Sequence, residues 1–436
     1  MSRHTRYILL AAIINVCLTT LQAQSTFMST ENNRGVSASN YQAYPDSGFA
    51  KPSAPPAGKR PFYISHYGRH GSRYMGNKIV YELPYQTLLK ADSLGKLTAA
   101  GQEALQSMRA IITDSEGRWG DLSGIGKKQQ RDIAHRMMTN YPEVFRGKAF
   151  VDARSTIVTR SIVSMGSFVL QLVTENPELL VTMNSSYHDM WYLNHQDKVL
   201  REQMMPPAAQ EAFDEYSDKC WRNPRLMALL FNDTAYVRQH VDERWFNYNL
   251  IKTALVQQNT HMSLQENRIF SLFTPEDIHR FVQFENAWWY VNYGPSLLNG
   301  GKQPYTQRFL LRQMIQEADS IIQTRQNGVS LRFGHENVIL PLVCLLELNQ
   351  LGYQTYNLDE LESKGWWVRY VSMMASNVQF VFYRKNPRDK DVLFKVLLNE
   401  KEATLPIQTD IAPYYHWRDF RDYYLKKLDA FELTAR

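Results

Sequence analysis

Residues 64–74 read Ile-Ser-His-Tyr-Gly-Arg-His-Gly-Ser-Arg-Tyr, and the chemistry they fit is capture and attack of a phosphate group. Arg69 and Arg73 each present a planar fork of donors that matches phosphate oxygens. Gly68 and Gly71 are expected to form a turn that brings backbone N–H groups close to an anion. His70 lies between the two arginines, where a neutral imidazole would meet the phosphorus as a nucleophile. A second segment, Val151-Asp-Ala-Arg-Ser-Thr-Ile-Val-Thr-Arg-Ser-Ile-Val-Ser164, carries Arg154 and Arg160. Arg160 falls at an expected helix start, where guanidinium and helix N-terminus can address one anion. A third, Val329-Ser-Leu-Arg-Phe-Gly-His-Glu-Asn-Val-Ile-Leu-Pro-Leu342, carries His335 and Glu336. A zinc signature would need a second histidine at 339, where Ile339 stands, so no metal and no cofactor is expected.

Any one of these turns alone would pass as a solvated basic loop. All three, however, share one grammar of strand, polar turn and apolar helix. Strand-like runs occur at 61–66, 149–152, 329–333 and 378–383, each with a helical segment beside it, as an α/β sheet requires. The first of them, Phe62-Tyr-Ile-Ser65, leads into the histidine motif, and Tyr81–Ser93 follows with Leu83, Leu88, Leu89 and Ala91 at helical spacing. Residues at the carboxyl ends of such strands are where open α/β sheets place ligands. From about 167 to 325 helical signals dominate. In that stretch Thr274 can cap a helix whose first turn holds Pro275, Glu276 and Asp277. The cluster Trp288-Trp-Tyr-Val-Asn-Tyr293 reads as helix-packing core, with Tyr293 able to reach a pocket rim. The expected organisation is therefore an α/β domain built from 61–166 and 326–436, with a mainly helical insertion at 167–325. No internal repeat is present.

Composition bounds the rest. Residues 1–23 read as a secretory signal peptide: Arg3 and Arg6, an apolar run from Ile8 to Cys17, then Leu21-Gln-Ala23. No other segment is long and apolar enough to cross a bilayer, so an exported protein, periplasmic or secreted, is expected. Residues 24–60, rich in Ser, Pro, Gly, Ala and Asn without apolar periodicity, read as an extended, partly disordered arm. The net charge of +6 falls to about +4 once the leader is gone, a mild excess that suits a small anionic substrate. No dense basic stripe interleaved with aromatics marks a nucleic-acid partner. Cys220 and Cys344 remain after cleavage; they could pair, but Cys344 sits in an apolar run and reads as a buried residue.

Arg69-His70-Gly71-Ser72-Arg73 resembles the signature of the histidine acid phosphatase family, whose second mark is a distal His followed by an acidic residue, here His335-Glu336. Asp121–Gln129 and Arg154–Arg160 are similar to family blocks. Phe333–Leu342, Ala375–Tyr383 and Val396–Lys401 look most like the multiple inositol polyphosphate phosphatases and phytases. The likeness runs over roughly 61–430, with the helical middle alike only in character. One departure is that the subgroup typically has His-Ala-Glu where this chain has His335-Glu336-Asn337.

The resemblance implies a phosphoglycerate-mutase-like three-layer α/β fold with a helical cap. It also implies hydrolysis of phosphomonoesters, inositol polyphosphates by preference, through a phosphohistidine on His70. Arg69, Arg73, Arg160 and His335 would bind phosphate and Glu336 would act as proton donor. Two other readings are a broad acid phosphatase acting on sugar phosphates and a binding protein that has lost catalysis. Against the second, pure binding needs the arginines but neither a nucleophile nor a proton donor.

Overall fold

The strand expected at 61–66 becomes the centre of the sheet. In the computed structural model, which describes residues 38–434 other than 196, 222, 261–267 and 325, β1 (Arg60–Arg69) is flanked by β4 (Gly328–Gly334) and β5 (Asn377–Arg384). Beyond them lie β2 (Phe150–Ser155) and β3 (Leu180–Ser185) on one side. On the other lie β6 (Leu393–Leu398), β7 (Lys401–Ala403) and the short β8 (Tyr415–His416). The order is β3-β2-β4-β1-β5-β6-β7, with β8 paired to β6. Pairs from β3 to β1 are parallel and those from β1 to β8 antiparallel.

The longer helices are α1 (Ile79–Ser93), α2 (Ala99–Ser115), α3 (Gly124–Asn140), α4 (Thr159–Glu175), α5 (Pro207–Trp221), α6 (Glu243–Val256), α7 (Pro275–Tyr293), α8 (Arg308–Thr324), α9 (Glu336–Leu345) and α10 (Trp417–Thr434). The pleat of β1 explains why the sheet is covered on both faces. Tyr63 and Tyr67 join Phe380 and Phe382 in one core with α8, α9 and α10, whereas Ile64 points the other way, into a core with Val329, Leu331 and the helices α3 and α4. Burying each such side chain stabilises the fold by about 1.5–3 kcal/mol. The three layers expected from the resemblance are therefore present. A third core joins α1 and α2 to α6 and the first half of α7, through residues such as Leu88, Met108, Leu250 and Phe281.

Thr274 caps α7 in a reciprocal box. Its hydroxyl accepts from the Asp277 amide at 3.2 Å, and the Asp277 carboxylate accepts from the Thr274 amide at 2.9 Å. The stretch 167–325 is not wholly helical, because it contains β3. That strand is an exposed edge with Leu180 and Met183 turned outward, so it lacks the alternating pattern by which a strand is read from sequence.

The arm also differs from expectation. Its residues 24–37, like the leader at 1–23, lie outside the described residues, but from Ala38 to Tyr44 the chain is built into the body, and from 46 to 58 it runs mostly exposed without helix or strand. Ala38, Ser39, Asn40 and Tyr41 are buried in and beside a 3₁₀ turn (Ser39–Tyr41). Tyr44 donates to Glu400 at 2.9 Å, and Phe49 lies 4.0 Å beneath the Arg136 guanidinium. Composition averaged over 24–60 hides these aromatic anchors. Cys220 and Cys344 are free thiols, and Cys344 is buried in α9 as expected. Among the described residues no helix is long and apolar enough to cross a membrane.

Candidate active site

Register places the three motifs together. Arg69 pairs with Gly334, and Ser155 with Phe333, so β1, β4 and β2 end level on the same edge of the sheet. The residues that follow, His70, His335 and Thr156, are thus neighbours at the carboxyl ends of adjacent parallel strands. The amide of His70 donates to the Gly334 carbonyl at 3.0 Å, and the amide of Thr156 to that of Phe333 at 3.0 Å. α4 and α9 start here, and neither has a side-chain cap, so their N-terminal N–H groups and dipoles favour a negative charge at this edge.

His70 is fully buried. Its Nδ1 lies 2.9 Å from the Gly71 carbonyl, which can only accept, so Nδ1 carries the proton and Nε2 keeps its lone pair. Burial, reinforced by Arg69 and Arg73 and opposed by Glu336, holds the imidazole pKa well below its ordinary value, so the ring stays neutral. Nε2 has no hydrogen-bond partner.

Three guanidinium groups surround it. Nη1 of Arg69 is held by the carbonyls of Asn40 and Ser372, each at 2.5 Å, its Nε is ion-paired with Glu336, and its Nη2 is left without a hydrogen-bond partner in a buried site. The Nε groups of Arg73 and Arg160 are likewise buried and unpartnered. Burial lowers the pKa of Arg69 to about 10 despite the nearby Glu336, and burial together with Arg73 lowers that of Arg160. Donors left unsatisfied in a crowded cationic pocket are arranged to receive an anion.

Glu336 is the group now nearest those donors. Its Oε2 lies 3.0 Å from Arg69 Nε and 3.5 Å from His70 Nε2, and Oε1 lies 3.7 Å from Arg73 Nη2. Burial alone would raise its pKa, but Arg69, with His70 and Arg73, holds it well below the usual carboxylate range. His335 is lowered to about 4, chiefly by burial, and its Nε2 lies 2.9 Å from the Thr156 hydroxyl. Ligand atoms of His70, His335 and Glu336 lie within 4.8 Å of one another, a geometry a cation could use. The flanking arginines make the local field positive and oppose that use.

The structure thus brings together Arg69, His70, Arg73, Arg160, His335 and Glu336, and leaves Arg154 out. Arg154 pairs instead with Asp189 at 2.9 Å and with Asp152 on its own strand at 3.4 Å. The glycines act differently from expectation. Gly68 is a strand residue, and a Cβ there would meet the His66 ring at 2.6 Å. Gly71 is required because a Cβ would meet the Gly126 carbonyl, at the start of α3, at 2.4 Å. The loop amides do not reach toward an anion. The amides of Arg69, Gly71 and Ser72 donate to Ser376, Ser164 Oγ and Gln129 Oε1, so in this motif side chains rather than these amides offer donors to an anion.

Sequence reasoning missed the contribution of the arm. The Tyr41 ring lies between Arg73, 5.8 Å away, and Lys252 of α6, 5.0 Å away. Ser72 Oγ donates to Asn259 and Asn259 Nδ2 to the Tyr41 carbonyl, each at 2.6 Å, which ties the motif to the arm. No local pattern marks Tyr41, because its partners are 32 or more positions away. Tyr293, expected at a rim, ends α7 close enough for the Glu336 charge to add to burial in raising its pKa.

Comparison with known proteins agrees with this geometry. Residues 68–399 match the model of the histidine phosphatase superfamily, branch 2. No curated protein matches by sequence. Among solved structures, the multiple inositol polyphosphate phosphatase of Bifidobacterium longum in complex with phosphate superposes with a TM-score of 0.73 at 16% identity, covering 89% of this chain and 97% of that one. The same enzyme with inositol hexasulfate gives 0.71 at 15% identity, covering 88% and 96%. The phytase from D. castellii gives 0.66 at 14% identity, covering 91% and 84%. With the model matched from the histidine motif through β6, the chain belongs to the histidine phosphatase superfamily, branch 2.

Proposed function

We propose that this protein is an exported phosphomonoesterase that works through a phosphohistidine on His70 and takes inositol polyphosphates as its preferred substrates. The observation that carries the reading is the pairing of a neutral His70, whose Nε2 lone pair is free, with three guanidinium groups, each holding a buried, unpartnered nitrogen. Support for the substrate class comes from the likeness in fold to an enzyme crystallised with inositol hexasulfate. The leader at 1–23 supports export.

In the first step Nε2 attacks phosphorus in line as the P–O bond of the ester breaks. Arg69, Arg73 and Arg160, with His335, neutralise charge on the equatorial oxygens, the role in which preorganised donors contribute most. Glu336 gives its proton to the leaving alkoxide, then takes one from the water that attacks the phosphohistidine, and Nε2 regains its lone pair. An arriving phosphate competes for Arg69 and Arg73 and displaces the Glu336 carboxylate. Its negative charge offsets the arginines and lifts the Glu336 pKa toward the donor form. Turnover therefore falls as pH rises through the pKa Glu336 has in the complex.

The test is phosphate release by residues 24–436 from inositol hexakisphosphate, a sugar phosphate and an aryl phosphate, with EDTA present and His70→Ala alongside. EDTA-resistant release that favours the inositol substrate and is lost in His70→Ala is expected. Preference for the other esters would make the protein a general acid phosphatase, and no release from any would leave a phosphoester-binding protein.

A further inference from the structure

We propose that Thr156 is a positioning residue for the phosphate site: its hydroxyl donates to Nε2 of His335 and so fixes the proton of that imidazole on Nδ1, the nitrogen left for the anion. The inference deepens the reading given above and rests on it only in taking the anion to be phosphate.

The geometry begins with register. Ser155 pairs with Phe333, which sets Thr156 beside the turn that carries His335. Thr156 is fully buried, its Oγ1 lies 2.9 Å from His335 Nε2, and its methyl would sit 3.6 Å from a Cβ on Gly334. The residue is clamped at both ends of its peptide unit. Its amide donates to Phe333, and its carbonyl accepts from the hydroxyls of Ser155 and Ser185 at 3.0 and 3.1 Å. A hydroxyl held this way can serve His335 in one of two senses.

A neutral imidazole carries one N–H, and the hydrogen bond made by one nitrogen decides what the other presents. If Nε2–H donated to Thr156, Nδ1 would turn a lone pair toward a phosphate oxygen, and the two would repel. If Thr156 donates to Nε2, Nδ1–H becomes a donor inside the pocket, where a nitrogen of His335 lies within 4.8 Å of the ligand atoms of His70 and Glu336. Neutrality makes the choice matter. In the anion-free site His335 is held to about 4, chiefly by burial, with Glu336 opposing and Arg160, Arg69 and Arg73 adding, so the ring that meets the arriving anion is neutral. His70 uses the same device in reverse order, with its Nδ1–H committed to the Gly71 carbonyl to free Nε2. Two histidines with ring centroids 5.7 Å apart thereby share one tautomer, Nδ1–H, but turn different nitrogens to the anion, one offering the Nε2 lone pair to phosphorus and the other its Nδ1–H to an oxygen.

The experiment compares wild type, Thr156→Val and Thr156→Ser in the chain from residue 24 to 436, with inorganic phosphate as the probe. Imidazole ¹⁵N NMR should show the wild-type His335 protonated on Nδ1. In Thr156→Val, which keeps shape but loses the hydroxyl, Nε2-protonated imidazole should appear, and phosphate affinity and kcat/KM should fall about tenfold or more. Thr156→Ser should recover most of both. A wild-type His335 protonated on Nε2, or a folded Thr156→Val with unchanged tautomer and phosphate affinity, overturns the inference. Should Thr156→Val fail to fold, the wild-type tautomer and the serine variant decide. A wild type that hydrolyses no ester but binds phosphate with the same dependence on Thr156 would sink the hydrolase reading and leave this one standing.

Discussion

At the scale of single residues, Glu336 is the side chain whose position has most consequence, because it sits among the donors that a phosphate would use. Replacing it by Gln removes both the proposed proton donor and the competing charge. Glu336→Gln is expected to slow esters with poor leaving groups by about a hundred- to ten-thousand-fold, while activated aryl phosphates suffer less. It should also bind inorganic phosphate more tightly than wild type, measured by calorimetry. Unchanged or weaker binding would show that the carboxylate does not compete. Gly334 carries a second prediction. A Cβ there would lie 1.9 Å from the Tyr67 hydroxyl, which is buried and bonded to the Leu193 carbonyl, so Gly334→Ala should cost about 1–3 kcal/mol in urea unfolding and displace His335. Arg69, His70 and Arg73 were legible in the sequence because one five-residue motif holds three of the six groups that the structure brings together. The reason for Gly68 was not, since it depends on where the His66 ring folds back.

At the scale of elements, the buried start of the arm packs against the arginines of the candidate site. Tyr41 faces two cations, and each such contact contributes about 0.5–2 kcal/mol according to how desolvated it is. Tyr41→Ala is accordingly expected to lower kcat/KM by about tenfold, whereas Tyr41→Phe, which keeps the ring, should stay close to wild type; equal losses in both would assign the effect to the hydroxyl instead. The strands that were read from sequence, β1, β2, β4 and β5, include the three whose carboxyl ends carry the site, and they are apolar enough to announce themselves. β3 escaped notice because an edge strand with outward Leu180 and Met183 has neither a continuous apolar run nor alternation. The arm escaped because tertiary contacts to Arg69, Arg136 and Lys252, not local periodicity, order it.

At the scale of the whole molecule, burying neutral imidazoles links stability to pH. His66 is lowered to about 3 and His335 to about 4, both chiefly by burial, against an ordinary value of 6.5. The unfolded chain therefore binds more protons than the folded one below pH 6.5, so stability is full above that pH and falls as pH drops toward the folded values. For His335 alone the loss is on the order of 3 kcal/mol. Urea midpoints should fall between pH 7 and pH 4, and His66→Leu, away from the pocket, should flatten part of that slope. A pH-independent midpoint would contradict the burial of these rings as neutral groups.

Arg69 is anchored by carbonyls 29 residues before it and 303 residues after it. A chain leaving the ribosome thus carries its histidine motif early but cannot assemble the pocket around it until most of its length, through the turn after Ser372, has emerged. Nascent and truncated chains would lack the arginine geometry of the candidate site, which forms only with the completed fold.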